Sequence, residues 1–305
     1  MTFDEGTALT PESPQSPETA PRSVEPVPVT FSPLPASAPL PQEFYRPGGR
    51  FIPEDLRVPW GWLDLLLVAI LPLAGTILLS ILLAMLFSAF GVSPSQLQHS
   101  PAYKSLWAIL NQAVLFLVLL GYLVAQMRLR FSLPFWRTIG WRPLEAGRLP
   151  SAFTYLRFIG GGFFLALLVQ IVSARFGAKV KLPMETLFQD RRAAVLLLLM
   201  AVLVAPVIEE TIFRGYIYPV VARSFGVGAG ILATGTLFGL LHAPQLWGGW
   251  MQIVLLVIVG IVFTYVRAVT KTVLASYLFH VSYNSFVSLA FLIGTHGLRV
   301  LNSGS

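Results

Sequence analysis

Long apolar runs dominate the chain between residue 61 and residue 294. Seven runs approach or exceed the roughly twenty residues that an α-helix needs to cross a hydrocarbon layer of ~30 Å. They lie at 61–90, 105–126, 152–174, 193–219, 227–244, 250–268 and 272–294. None alternates with period two, and backbone polar groups must be satisfied internally in lipid, so a β-barrel is excluded. The pattern predicts an all-α fold, a polytopic transmembrane helical bundle of about seven spans.

Small residues within these runs predict where helices pack most closely. Gly235 and Gly239 form a pair four residues apart in the fifth run, and Gly160, Gly161 and Gly162 lie together in the third. Small residues at such spacing let two membrane helices approach closely. We therefore expect the third and fifth helices to make tight contacts.

The pattern changes before the first run. Ten prolines lie between Pro11 and Pro41, mixed with Ser, Thr, Glu and Ala. A segment of such low hydrophobicity cannot bury enough surface to fold. We predict a disordered Pro-rich tail over residues 1–58, N-terminal transmembrane helices over 59–129, a core over 130–296 and a short C-terminal tail over 297–305.

Composition supports an integral membrane protein. The chain is 55% hydrophobic and 11% charged, with a mean hydropathy of +0.72, whereas soluble domains average about 25% charged. It contains no cysteine, which excludes disulfides and thiol chemistry. The net charge of +7 resides in short connections between the runs, which is typical of topology signals. We therefore expect the lipid bilayer, and no nucleic acid, as a partner.

The distribution of Lys and Arg predicts the orientation. Arg46, Arg50 and Arg57 precede the first run, and five arginines lie in 127–150, whereas 91–104 holds only Lys104. Because cytoplasmic loops carry the excess of Lys and Arg, the N-terminus is expected in the cytoplasm. The 175–192 connection departs from this pattern, because it is also rich in cations.

Six polar residues stand out within the apolar runs. Glu209 and Glu210 end an apolar stretch and precede Arg214, His242 ends the fifth run, and His280 and Asn284 share a helix face in the seventh. Ionisable groups at membrane depth are costly and are functional by default. Residues four apart share a helix face, so Glu210 and Arg214 are expected to pair, leaving Glu209 without a local partner.

These residue types are suited to hydrolysis. A carboxylate can act as a general base, and a histidine or an asparagine amide can donate to the oxyanion of a tetrahedral intermediate. Glu209, His242 and His280 also form a ligand set typical of catalytic zinc, so a divalent metal remains an open alternative. A straight fifth helix would, however, place His242 several ångströms deeper than Glu209.

Three motifs resemble those of the CPBP intramembrane protease family, which includes type II CAAX prenyl endopeptidases and Abi-like bacteriocin-processing or immunity proteins. The EExxxR motif corresponds to residues 209–214, FxxxH to Phe238–His242 and HxxxN to His280–Asn284. Ile139-Gly140-Trp141 resembles the segment that often precedes this core. The resemblance extends over roughly 130–294.

The resemblance implies an intramembrane endopeptidase. Glu209 would activate water with help from His242, His280 and Asn284 would stabilise the oxyanion, and Glu210, Arg214 and Phe238 would support the site. The substrate would be a membrane-associated peptide or protein, with a prenylated CAAX tail as one candidate. The alternatives are a non-enzymatic immunity or scaffold protein of the family, or a proton-coupled transporter. Metal dependence, substrate and oligomeric state are not determined by the sequence.

Overall fold

The computed structural model describes residues 2, 52–144, 151–177 and 182–298. The predicted tails at 1–58 and 297–305 lie largely outside the described residues. The described part is helical without a β-strand, and its α-helices are α1 (Trp62–Ala89), α2 (Pro94–His99), α3 (Pro101–Ala125), α4 (Phe135–Thr138), α5 (Ser151–Phe176), α6 (Arg191–Leu199), α7 (Ala205–Glu210), α8 (Tyr218–Phe225), α9 (Val227–Leu241), α10 (Trp250–Thr270) and α11 (Val273–Gly294). Short 3-10 helices lie at Glu54–Leu56 and Pro183–Phe188, and π-helical segments lie at Gln126–Arg130, Met200–Val204 and Thr211–Ile217.

All seven predicted apolar helices are present. Among the described residues, six helical stretches are long and apolar enough to cross a membrane: Trp62–Ala89, Tyr103–Arg130, Ala152–Phe176, Arg191–Phe225, Trp250–Thr270 and Val273–Gly294. The other apolar helix, α9, has 15 residues and is therefore only ~22 Å long. The predicted all-α, polytopic membrane architecture is confirmed, and the fifth helix is shorter than the sequence pattern suggested.

The fourth span is a composite helix of 35 residues. Its short helix α7 is preceded by one π-helical segment and followed by another. Pro206 lies in the first turn of α7 and Pro219 in the first turn of α8. Proline lacks a backbone N–H and clashes with the carbonyl of the preceding turn, which accounts for a locally widened helix before each proline. Glu209 and Glu210 therefore lie on a short helical segment between two distorted turns.

Side-chain and backbone contacts define two ends of the bundle. We call residues 52–61, 126–144, 218–227 and 267–273 the basic end. There, Arg267 donates to Asp55 at 2.9 Å, and Thr272 Oγ1 donates to the Arg142 carbonyl at 2.6 Å. We call residues 93–105, 182–191 and 242–250 the far end. There, the Met184 N–H donates to the Gln245 carbonyl at 3.1 Å, and Ser105 Oγ donates to the Leu187 carbonyl at 3.0 Å.

Close packing at glycine sets the position of α9. A Cβ added at Gly239 would lie 2.6 Å from the Val257 Cα, and one at Gly235 would lie 2.5 Å from the Ile261 Cα. Neither position has room for a side chain, so α9 is fixed against α10 as predicted. Gly161 likewise abuts the Phe279 ring, whereas a Cβ at Gly160 meets nothing within 4 Å. The prediction for the third span was therefore wrong at Gly160.

Candidate active site

Glu210 lies at the centre of a buried charged cluster. Its carboxylate and the guanidinium of Arg214 have no exposed surface, and Arg214 NH1 donates to Glu210 Oε1 at 3.0 Å. The Nδ1 atom of His280 bonds the same carboxylate oxygen at 3.0 Å. Arg214 NH2 also donates to the Gly260 carbonyl at 2.8 Å. The predicted pairing of Glu210 with Arg214 is confirmed, and it connects the fourth span to α10 and α11.

Glu209 points in a different direction from its neighbour and faces two imidazoles. Its Oε1 atom is 3.8 Å from His242 Nε2, and its Oε2 atom is 3.7 Å from His280 Nε2. The Glu209 side chain is 16% exposed, whereas that of Glu210 is fully buried. Two adjacent glutamates therefore have different surroundings: one belongs to a closed ion pair, and the other faces open space.

The two histidine rings are oriented by the bonds of their Nδ1 atoms. His242 Nδ1 bonds the Phe238 carbonyl at 2.8 Å, and His280 Nδ1 bonds Glu210. Carbonyl and carboxylate oxygens only accept, so each Nδ1 carries a hydrogen. Both Nε2 atoms consequently face Glu209. In a histidine, the hydrogen bond at one ring nitrogen determines which nitrogen carries the proton and therefore what the other nitrogen can do.

The depth mismatch expected for His242 does not occur. Helix α9 begins immediately after Gly226, whose φ of 104° is readily adopted only by glycine. The helix then ends after 15 residues, and His242 is its C-cap. The fourth span, however, runs on to Phe225, so Glu209 precedes Gly226 by 17 residues and His242 follows it by 16. The two residues are therefore at a similar depth from the turn at Gly226.

Phe238 packs against the other members of this cluster. Its ring centroid lies 4.8 Å from that of His242 and 5.8 Å from that of His280. The Arg214 guanidinium carbon lies 4.5 Å from the same centroid. Phe238 is 2% exposed, so this single ring contacts residues from all three motifs and limits their movement.

Asn284 lies beside the cluster and bonds the distorted fourth span. Its Nδ2 atom donates to the Ala201 carbonyl at 2.8 Å, and Ala201 belongs to the π-helical segment Met200–Val204. An asparagine amide has two N–H hydrogens. One hydrogen therefore bonds the Ala201 carbonyl, and the amide has a second N–H.

A cavity of about 880 Å³ contains these polar groups. Glu209, His242, His280 and Asn284 line it, while Glu210 and Arg214 lie behind its wall. Most of the remaining lining side chains are apolar, and they come from the surrounding helices and from the 182–191 connection. A large apolar pocket with a few convergent polar groups is the usual form of a ligand site.

Other lining residues were not recognised from the sequence. Gln112 and Gln170 line the cavity, although amides within membrane helices commonly make interhelical hydrogen bonds. Asn111, by contrast, connects two helices because it accepts from Ser80 of α1, and it also donates to the Trp107 carbonyl within its own helix. A glutamine on a helix face has the same sequence signal in both situations, so only the positions of neighbouring helices distinguish them.

The donor set can be tested against a metal site. Two imidazole Nε2 atoms and a carboxylate are the ligand types that catalytic zinc uses. Within the described part of the chain, however, no group of three or more His, Asp or Glu side chains is arranged to hold a metal ion. The arrangement does not meet the geometry of a metal site, and the mechanism below does not use a metal.

The segment that precedes the core contacts it directly. Trp141 Nε1 donates to Thr211 Oγ1 at 3.0 Å, and the Val273 N–H donates to the Gly140 carbonyl at 2.9 Å. Residues 139–141 therefore join the turn after the two glutamates to the start of α11. Through these two hydrogen bonds, residues 139–141 connect the fourth span to α11 at the basic end of the bundle.

Fold and site together define a polytopic helical membrane protein with a carboxylate–imidazole site that lines a cavity inside the bundle. Residues 191–286 match the family model described as type II CAAX prenyl endopeptidase Rce1-like, which confirms the resemblance found from the three motifs. The match covers about a third of the chain and is narrower than the 130–294 expected. At the general level it identifies a peptidase. No curated protein and no solved structure is detectably similar to the chain.

Proposed function

We propose that this protein is an intramembrane endopeptidase that hydrolyses a peptide bond in a membrane-associated substrate, with Glu209 as the general base. The observation that supports the proposal most strongly is the position of the Glu209 carboxylate. It faces two imidazole Nε2 atoms at 3.7–3.8 Å on the wall of a large cavity, and all three motifs contribute to this arrangement.

The first step is the activation of water. A water molecule between Glu209 and His242 can hydrogen-bond to both side chains. General base catalysis requires such a contact between the base and the water that it deprotonates. Glu209 takes a proton while the water oxygen attacks the carbonyl carbon of the substrate, giving a tetrahedral intermediate. The C–N bond then breaks, and the proton held by Glu209 passes to the leaving amine. The products are a carboxylate and an amine.

His280 and Asn284 stabilise the oxyanion of this intermediate. Because His280 Nδ1 donates to Glu210, its Nε2 atom can donate only in the doubly protonated ring. The second N–H of the Asn284 amide is a neutral donor, and such preorganised donors typically contribute about 3 kcal/mol each to transition-state stabilisation.

Glu210, Arg214 and Phe238 act as positioning residues. Arg214 balances the charge of Glu210, and Glu210 orients His280. Phe238 separates this ion pair from the cavity and supports both imidazoles. Their removal is expected to displace the reacting groups without removing any of them.

Comparison of the wild-type protein with Glu209→Gln tests the proposal. Both proteins are reconstituted into liposomes with a mixture of membrane peptides that includes a prenylated CAAX peptide, and new peptide termini are identified by mass spectrometry. The wild-type protein is expected to generate termini that Glu209→Gln does not. Glu54→Gln is the matched control, because Glu54 is exposed at the basic end, and it should cleave like the wild type.

Cleavage by Glu209→Gln at the wild-type rate would refute the general-base role. The absence of any cleavage by the wild-type protein would instead favour a non-enzymatic immunity or scaffold protein. A proton-coupled transporter would move protons with solute in the same liposomes, so a pH-sensitive dye inside them distinguishes this alternative.

A further inference from the structure

A second set of buried polar side chains connects the N-terminal helices to the fourth span. Tyr216 Oη donates to Gln126 Oε1 at 2.5 Å, and Gln126 Nε2 donates to Asp64 Oδ1 at 2.9 Å. Tyr216 has no exposed surface, and Gln126 and Asp64 are 7% and 4% exposed. None of the three lines the candidate active-site cavity. We call these three side chains the polar relay.

Asp64 determines the direction of the hydrogen bonds in the polar relay. Its Oδ1 atom also accepts from Arg130, which balances its charge, and its Oδ2 atom accepts from the Gly61 N–H at 2.8 Å. Because a carboxylate only accepts, Gln126 must direct its N–H group at Asp64 and its amide oxygen at the Tyr216 hydroxyl. An ionisable group in a membrane-spanning helix is costly and is functional by default, and the proposed hydrolysis does not use Asp64 directly.

Tyr216 is held at its ring and its backbone as well as at its hydroxyl. Its ring stacks on that of Trp60, with centroids 5.0 Å apart and planes 4° apart, and Trp60 Nε1 donates to the Tyr216 carbonyl at 2.9 Å. The preceding residue is equally confined, because a Cβ added at Gly215 would lie 2.8 Å from the Ile139 carbonyl oxygen. This part of the fourth span therefore has little room to move.

The position of Tyr216 along the fourth span relates it to the candidate active site. Tyr216 belongs to the π-helical segment Thr211–Ile217, which begins directly after Glu210. Such π-helical turns are rare and occur mostly at functional sites. A change of one residue in helix register corresponds to a rotation of about 100° and a shift of about 1.5 Å. If this segment became α-helical while Tyr216 stayed in place, Glu209 would turn away from the two imidazoles.

We propose that Tyr216 is a positioning residue for the proposed hydrolysis and that Gln126 and Asp64 hold it in place. The polar relay maintains the π-helical segment, and this segment directs Glu209 at the two imidazoles. Asp64 and Gln126 lie outside residues 191–286, so the N-terminal helices contribute to the geometry of the site. The kinetic role rests on the proposed peptidase function, whereas the anchoring of the π-helical segment does not.

Tyr216→Phe tests the kinetic role, because it removes the hydroxyl and keeps the ring that stacks on Trp60. For a membrane peptide that the wild-type protein cleaves in liposomes, Tyr216→Phe should lower kcat at least about ten-fold, since misplacing a catalytic group by ~1 Å can cost ~10²-fold in rate. The KM should stay unchanged, because substrate binding is not altered. An unchanged kcat, or a change confined to KM, would overturn the positioning role.

Tyr218→Phe is the matched control. Tyr218 is also buried and lies beyond the π-helical segment, and its hydroxyl makes no hydrogen bond within the described part of the chain. This variant should keep the wild-type kcat. A loss equal to that of Tyr216→Phe would show that the effect is not specific to the polar relay.

Gln126→Leu interrupts the polar relay at its middle member and provides a second variant. The double variant Gln126→Leu/Tyr216→Phe should have a kcat no lower than that of the more damaged single variant, because both substitutions remove the same connection. Losses that multiply in the double variant would overturn the relay.

Hydrogen exchange measures the anchoring without catalysis. In the full-length protein in detergent, peptides that cover residues 205–217 should exchange faster in Tyr216→Phe than in the wild type or in Tyr218→Phe. Equal exchange in all three proteins would overturn the anchoring. The absence of cleavage by the wild-type protein would instead refute the proposed function and the kinetic role, and the exchange rates would still decide whether the polar relay anchors the segment.

Discussion

Substitution by glutamine should lower the stability of the protein at Glu210 but hardly change it at Glu209. Glu210→Gln leaves the Arg214 guanidinium buried without its counter-charge, and Arg214 is completely inaccessible. Breaking a buried ion pair by removing one partner costs about 3–5 kcal/mol. Glu209 has no hydrogen bond shorter than 3.5 Å to either imidazole and is partly exposed. Glu209→Gln should therefore change stability by less than about 1 kcal/mol while abolishing cleavage.

Thermal denaturation of the purified proteins in one detergent measures the difference. Glu210→Gln is expected to unfold at a clearly lower temperature than the wild type, and Glu209→Gln at nearly the same temperature. The double variant Glu210→Gln/Arg214→Gln should recover part of the lost stability, because it removes both buried charges. Equal destabilisation by the two single variants, or no recovery in the double variant, would refute the ion-pair assignment.

Further predictions concern packing and metal dependence. Gly239→Ala should destabilise the protein because its Cβ would meet the Val257 backbone, whereas Gly160→Ala, with open space around it, should not; denaturation in detergent compares them. Phe238→Leu should lower cleavage more than stability, since it removes ring contacts with both imidazoles; loss of folding without a selective loss of activity would contradict this. Treatment with a zinc chelator should leave cleavage unchanged, and activity that disappears and returns with Zn²⁺ would show a metal-dependent mechanism.

Local patterns predicted the helical architecture and part of the site. Apolar runs of about twenty residues fix the helix type and number, because lipid leaves the backbone no other way to satisfy its polar groups. The pairing of Glu210 with Arg214 followed from their spacing along one helix. The π-helical segment before α7 depends on Pro206, whose effect is also local. The orientation of the N-terminus and the catalytic roles remain predictions.

The sequence by itself determined which segments are helical and which polar residues lie within them, because helix formation and side-chain direction depend on near neighbours. Tertiary structure decided that Glu209 faces His242 and His280 and that Gln112 and Gln170 line a cavity. These outcomes depend on helix offsets. The position of each helix along its neighbours is set by the close contacts at Gly235 and Gly239 and by the π-helical turns. These contacts are made with residues that are distant in the sequence.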